Sequence, residues 1–168
     1  RRGVHADVVA VLRSAAGLGP LDPKGERDYR VDVEHRHVDV LVIGGGQAGL
    51  AAAIEHAGQG KDVTVVDEGP DVGGSSLGDP AAASTLAELR EAARAAGVEI
   101  IAPAVAIGIF EYNFVPVQVG RLLLKFRAST VVVAAGIVEQ PLVFPGNDLV
   151  GVVLPAAVGY ILLARPLV

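Results

Sequence analysis

Two short and almost wholly apolar runs organise the chain, Val40-Leu41-Val42-Ile43 and Val63-Thr64-Val65-Val66. Runs without polar alternation fit strands covered on both faces, as in a parallel sheet. Between them Leu50, Ala53, Ile54 and Ala57 recur at helical spacing, and Gly58 or Gly60 can end that helix. The pattern therefore predicts strand, helix, strand. A second helix is expected over residues 80–96, with Leu86, Leu89, Ala93 and Ala96 toward the sheet and Gly97 as its cap. Thr85 and Glu88 fit a capping box, and Asp79 before Pro80 offers an earlier start. Residues 98–102 read as a third strand. From residue 104 to 127 the apolar segments shorten to 105–110, 114–119 and 122–126, divided by Glu111-Tyr112-Asn113 and Gly120-Arg121, which predicts a three-stranded antiparallel meander. Residues 130–133 return as a fourth parallel strand.

Outside this core, residues 4–16 read as a short helix with Val8, Val11, Leu12 and Ala15 on one face. Pro20, Pro23 and Gly25 mark residues 17–37 as a linker, and an apolar segment over 155–164 reads as helical. The expected organisation is an N-terminal helix and linker over 1–37, a main domain over 38–152, and a truncated helical segment over 153–168. The fold class is α/β, a Rossmann-like fold with a central parallel sheet, helices on both faces and the inserted meander.

Glycines at the end of the first strand give this pattern its chemistry. In Gly44-Gly45-Gly46-Gln47-Ala48-Gly49, Gly44 can make the tight turn, Gly46 lets backbone approach a phosphate, and Gly49 lets helix pack on strand. The helix then presents unpaired N–H groups and a partial positive charge. Asp67 follows Gly44 by 23 residues at the end of the second strand, near the roughly 20-residue offset at which a carboxylate reaches the adenosine ribose. Gly73-Gly74-Ser75-Ser76 forms a second glycine-rich loop at a strand's carboxyl end, where its N–H groups or hydroxyls can reach the same pyrophosphate. A small-molecule dinucleotide is the expected ligand.

Composition narrows the setting. The 168 residues carry a net charge of −5, which gives no reason to expect nucleic acid or an anionic membrane. A mean hydropathy of +0.48 comes with little aromatic content, so the core is aliphatic. No apolar run reaches the roughly 18–20 residues of a membrane span, so a cytoplasmic location is the default expectation. With no cysteine, thiolate catalysis and Cys-ligated zinc or iron–sulfur clusters are excluded. His35 and His37 have no third ligand in view and read as a solvated strand edge, so no metal is expected. No methionine is present, which leads to the expectation of a fragment, a processed product or an incompletely recorded sequence.

Three separated motifs resemble the two-dinucleotide-binding-domain flavoproteins, the thioredoxin reductase and glutathione reductase-like group. They are Val42-Ile43-Gly44-Gly45-Gly46-Gln47-Ala48-Gly49 with Asp67, then Gly73-Gly74, then Val131-Val132-Val133-Ala134-Ala135-Gly136, where Ala135 replaces the threonine of an Ala-Thr-Gly motif. Within that group the chain is most similar to the α subunit of heteromeric sarcosine oxidase and to the corresponding subunits of dye-linked proline dehydrogenase, opine oxidase and hydrogen cyanide synthase. The flanking likenesses are Arg13-Ser14-Ala15-Ala16-Gly17-Leu18-Gly19 and residues 135–144, with Asn147-Asp148 and Gly151-Val152.

The resemblance implies a subunit of an amine- or amino-acid-oxidising flavoenzyme, part of a hetero-oligomer whose flavin-bearing catalytic subunit oxidises the substrate. It implies that Gly44, Gly46, Gln47, Ala48 and Gly49 hold the pyrophosphate, Asp67 binds the adenosine ribose, the Val105 backbone meets the adenine, and Ala135 and Gly136 line the cofactor, with Glu68, Gly74 and Ser75 nearby. FAD is the expected cofactor, with NAD or another adenine nucleotide as the alternative; the carboxylates of Asp67 and Glu68 argue against the 2′-phosphate of NADP. The group's inserted second nucleotide domain and returning Gly-Asp strand have no counterpart here, so the likeness covers the ADP end of the cofactor. No catalytic acid, base or nucleophile stands out, and a non-catalytic nucleotide-binding or regulatory subunit is the other reading.

Overall fold

The computed structural model describes residues 30–158. The expected helix over 4–16, most of the linker and the end of the segment over 155–164 lie outside the described residues. Six strands form one mixed sheet in the order β3-β2-β1-β6-β5-β4. They are β1 (Asp32–Ile43), β2 (Val63–Val66), β3 (Glu99–Ile101), β4 (Val105–Ala106), β5 (Phe114–Val119) and β6 (Leu122–Val133). Helix α1 (Gln47–Gly58) joins β1 to β2, and α2 (Ala83–Ala95) joins β2 to β3. The neighbours β3, β2, β1 and β6 run parallel, whereas β5 and β4 add antiparallel strands beyond β6.

The α/β class and the parallel core are as the sequence predicts, with β2 at the expected four residues and buried throughout. The strand ends differ. The expected third meander strand, 122–126, and the expected fourth parallel strand, 130–133, are one continuous β6. Similarly, residues 32–37, read as the end of a linker, are the first half of β1 and pair with Leu122 to Arg127 of β6. The expected strand over 105–110 is reduced to Val105 and Ala106, with an isolated bridge between Phe110 and Phe114.

A break in side-chain alternation explains the misreading. In β1, Val38 and Leu41 both pack into the cluster around Phe126, although Val40 and Val42 face the helices; Ala128 and Val131 of β6 behave likewise. Strict alternation would put residues 38 and 40 on one face. At this step the N–H groups of Asp39 and Val40 both donate to the Asp62 carbonyl, at 3.1 and 3.0 Å, the pattern of a local bulge that re-aims a strand. The Asp39 carboxylate secures it by accepting the Asp62 N–H at 2.9 Å. β1 and β6 thus pair parallel along their whole length, the upper half of β1 also pairing parallel with β2 and the lower half of β6 antiparallel with β5.

Two hydrophobic clusters follow from this geometry. On one face Val40, Val42, Val63 and Val65 meet Leu50 and Ala53 of α1 and Leu86 and Ala93 of α2. On the other, Leu41 and Val66 meet Val115, Val117, Leu124 and Phe126. Each such buried Val, Leu or Phe side chain contributes roughly 1.5–3 kcal/mol. Helices were expected on both faces; both described helices share one, and the antiparallel strands close the other. Ala96, expected toward the sheet, is exposed. No bond joins the expected capping-box pair Thr85 and Glu88; instead Asp79 accepts the Ala81 N–H at 2.9 Å and caps a 3-10 turn, Pro80–Ala82, that leads into α2.

Buried Thr64 donates to Glu99 at 3.1 Å, so its hydroxyl is satisfied. Hydrogen bonds from Arg36 to Glu99 at 2.6 Å and Glu34 at 2.7 Å hold the guanidinium above its ordinary basicity. This network ties β1 to β3 at the end of the sheet away from the glycines. Among the described residues no helix is long and apolar enough to cross a membrane.

Candidate functional site

The carboxyl ends of β1, β2 and β6 meet at one edge, and the glycine-rich turns start there. Gly44 N–H donates to the Val66 carbonyl at 2.8 Å, and Ala134 N–H to the Ile43 carbonyl at 2.8 Å, which fixes the turn between its two neighbours. Gly44 has φ +103°, and a Cβ there would collide with the Ala134 carbonyl. Both conditions demand glycine. A Cβ on Gly49 would collide with the Gly44 carbonyl, so α1 lies against the turn at backbone distance.

Gly46 is different. It is the N-cap of α1, with extended backbone, and no atom lies within 4 Å of where its Cβ would sit. No side chain caps the helix and no acidic residue occupies its first turn. Helix N-termini of this kind leave backbone donors for an anion. Gln47 opens α1 and donates through Nε2 to Ser76 Oγ at 2.9 Å, while Ala48 is exposed.

Asp67 follows directly on β2 and is half-buried. Its Oδ2 accepts the Gly45 N–H at 2.6 Å and its Oδ1 accepts the Gly69 N–H at 2.8 Å. The carboxylate therefore joins the first glycine turn to the start of the second loop. Backbone bonds fix the residue further, from Asp67 N–H to the Ile101 carbonyl at 3.1 Å and from Ala104 N–H to the Asp67 carbonyl at 2.7 Å. The second bond places Val105, the first residue of β4 and 47% exposed, one residue away from a contact with Asp67.

The second loop lies across the first. Gly73 N–H donates to the Gly45 carbonyl at 2.8 Å, and a Cβ on Gly74, which has φ +55°, would be 3.3 Å from Gly46 Cα. From behind, Arg90 of α2 donates to the Val72 carbonyl through Nε at 3.0 Å and again through its terminal nitrogen, and pairs with Asp71 at 2.8 Å.

Of the residues singled out in the sequence, Gly44, Gly46, Gln47, Ala48, Gly49, Asp67 and Gly74 are thus brought together, with Ala135 N within 3.0 Å of the Gly44 Cβ position. Glu68 and Ser75 are exposed without a hydrogen bond, and Gly136, with φ +75°, has no neighbour near its Cβ position. Four contacts escaped the sequence reading, although Gly73 and Ser76 were expected in the second loop beside the pyrophosphate. Gly45 carries the bond to Asp67, Gly73 the bond between loops, Ser76 the bond to Gln47, and Arg90 the support of the second loop. For Gly45 and Gly73 the signal was adjacency to assigned glycines; Arg90 offered none, since an arginine on a helix reads as solvated.

The comparisons with known proteins cover this stretch of the chain. The family model for the FAD binding domain matches residues 39–85, which run from the end of the bulge through both glycine loops to the start of α2. The α subunit of sarcosine oxidase from Corynebacterium sp. (strain P-1) is 35% identical over 92% of this chain and 18% of the relative. One of the subunits of opine oxidase from Agrobacterium tumefaciens (strain Ach5) is 32% identical over 71% of this chain and 28% of the relative. The crystal structure of L-proline dehydrogenase from P. horikoshii superposes with a TM-score of 0.69 at 28% identity, over 80% of this chain and 30% of that one. The chain thus spans less than a third of each. The FAD-binding model favours FAD over the NAD alternative. By sequence this chain is similar to the sarcosine oxidase α subunits, by fold it is similar to L-proline dehydrogenase, and its Rossmann-like sheet carries the stretch that matches the FAD binding domain model.

Proposed function

We propose that the chain supplies the dinucleotide-binding region of a flavin-dependent oxidoreductase acting on an amine or amino acid, and that it holds the ADP moiety of FAD at the turn from Gly44 to Gly49. The observation that carries this reading is the N-terminus of α1, where uncapped donors, a first turn without acids and open backbone at Gly46 coincide. The residues fit the group. Gly46, Gln47 and Ala48 offer N–H groups to the pyrophosphate, while Gly44 and Gly49 shape the turn behind them. Asp67 keeps lone pairs beyond the two spent on Gly45 and Gly69, and these suit the ribose hydroxyls. The Val105 backbone meets the adenine, Gly74 and Ser75 flank the diphosphate, and Ala135 and Gly136 border the path toward the flavin. Glu68 beside Asp67 adds negative charge that disfavours a 2′-phosphate.

FAD, when bound, supplies the hydride acceptor. The chain's own residues bind and orient the adenine half, and none is assigned an acid, base or nucleophilic role. The names of the relatives support an amine or amino-acid substrate, and their being subunits of larger oxidases supports a hetero-oligomer in which a partner chain completes the catalytic site. Incubation with FAD, removal of free ligand, and acid extraction tests the reading. Retained flavin that bleaches on reduction is the expected result, and retention of neither FAD nor ADP would refute it.

A further inference from the structure

A relay of hydrogen bonds connects a partly buried arginine to the phosphate-facing end of α1. Arg90 donates to the Val72 carbonyl through both Nε and a terminal nitrogen. The same peptide unit continues as the Gly73 N–H, which donates to the Gly45 carbonyl at 2.8 Å. That carbonyl's own peptide unit ends in the Gly46 N–H, the N-cap amide of α1, which has no acceptor among the described residues. A carbonyl that accepts from a cation makes the N–H of its own peptide a stronger donor, and the effect adds along a chain of such units. Arg90 thus faces the site only through backbone.

We infer that Arg90 is a positioning residue of the nucleotide site, one that aligns the second glycine loop and polarises the Gly46 N–H toward the diphosphate. Geometry supports both halves. The Arg90 side chain is only 21% exposed, and its carboxylate partner Asp71 is 59% exposed, so the guanidinium is the better shielded member of the pair. Asp71 also accepts the Val72 N–H at 2.8 Å, which fixes the peptide unit just before the one that faces the arginine. On the ligand side, the Gly74 Cβ position 3.3 Å from Gly46 Cα shows that displacing the second loop moves atoms next to the N-cap. The positive bias at the turn therefore comes from α1 and, by this backbone route, from Arg90.

The inference rests on the dinucleotide reading above, and its test separates the two. Affinities of the full chain for ADP and for adenosine are compared in the wild type, R90Q and R90K, with adenosine measured by ligand-observed NMR competition. Loss of the polarising cation is expected to weaken ADP about fivefold in R90Q while adenosine changes less than about twofold, since only ADP carries the diphosphate. R90K keeps a cation within reach of the Val72 carbonyl and is expected to recover most of the loss, which also serves if R90Q does not fold. Equal weakening of both ligands, or no weakening of ADP, would overturn the positioning role while leaving the site intact. A wild-type chain that binds neither ligand would overturn the dinucleotide reading and the inference with it.

Discussion

The Asp67 carboxylate accepts the Gly45 N–H at 2.6 Å, so the acid expected to face the ribose is also a fastener for the turn that faces the phosphates. Gly45 is buried, and an N–H left there without an acceptor costs roughly 1–3 kcal/mol. Asp67→Ala is therefore expected to lower stability by about that amount in urea unfolding, in addition to weakening nucleotide binding. A variant that lost binding at unchanged stability would mean that the carboxylate acts on the ligand alone.

Gly49→Ala tests the packing of helix on turn. The added methyl would meet the Gly44 carbonyl, which is backbone and cannot step aside. A loss of about 1–3 kcal/mol is expected in the unfolding midpoint, and a neutral outcome would show that α1 stands further from the turn.

Ser75 and Ser76 separate by partner. Ser76→Ala removes the acceptor of Gln47 Nε2 and is expected to cost about 0.5–1.5 kcal/mol and to speed amide exchange in the second loop. Ser75→Ala, at an exposed residue without a hydrogen bond, is expected to stay within about 0.5 kcal/mol. Equal effects would contradict the Gln47–Ser76 bond.

Asp39→Ala tests the bulge where the sheet divides. It leaves the Asp62 N–H without its acceptor and is expected to cost about 1 kcal/mol in thermal unfolding with ADP affinity unchanged. A change in affinity would tie the bulge to the site, which lies at the other end of the short segment from residue 40 to 43.

The parallel core and the ligand edge were legible because each is written in local residues. Val63 to Val66 are apolar enough to demand cover on both faces, and Gly44, Gly46 and Gly49 have spacing that suits one kind of turn. The long strands were not legible. Asp32, Glu34, His35, Arg36 and His37 read as linker because residues 32 to 35 are exposed on both faces of the strand, and the switch at Asp39 and Ser129 interrupts the alternation that would have joined the two halves. Within the site, residues defined by their own conformation were found, whereas Gly45, Ser76 and Arg90 act through partners 22, 29 and 18 residues away, which no local pattern encodes.

Calorimetric titration of the wild-type chain and of Gly46→Val with ADP tests whether the N-terminus of α1 holds the diphosphate. Gly46 has extended backbone and nothing within 4 Å of its Cβ position, so valine fits the fold but fills the approach to the N-terminus of α1. One-to-one binding is expected for the wild type, lost in Gly46→Val while the chain still unfolds cooperatively, with the midpoint lowered by no more than a poorer N-cap costs, about 1 kcal/mol. Undiminished binding by a folded Gly46→Val chain would contradict that placement of the diphosphate.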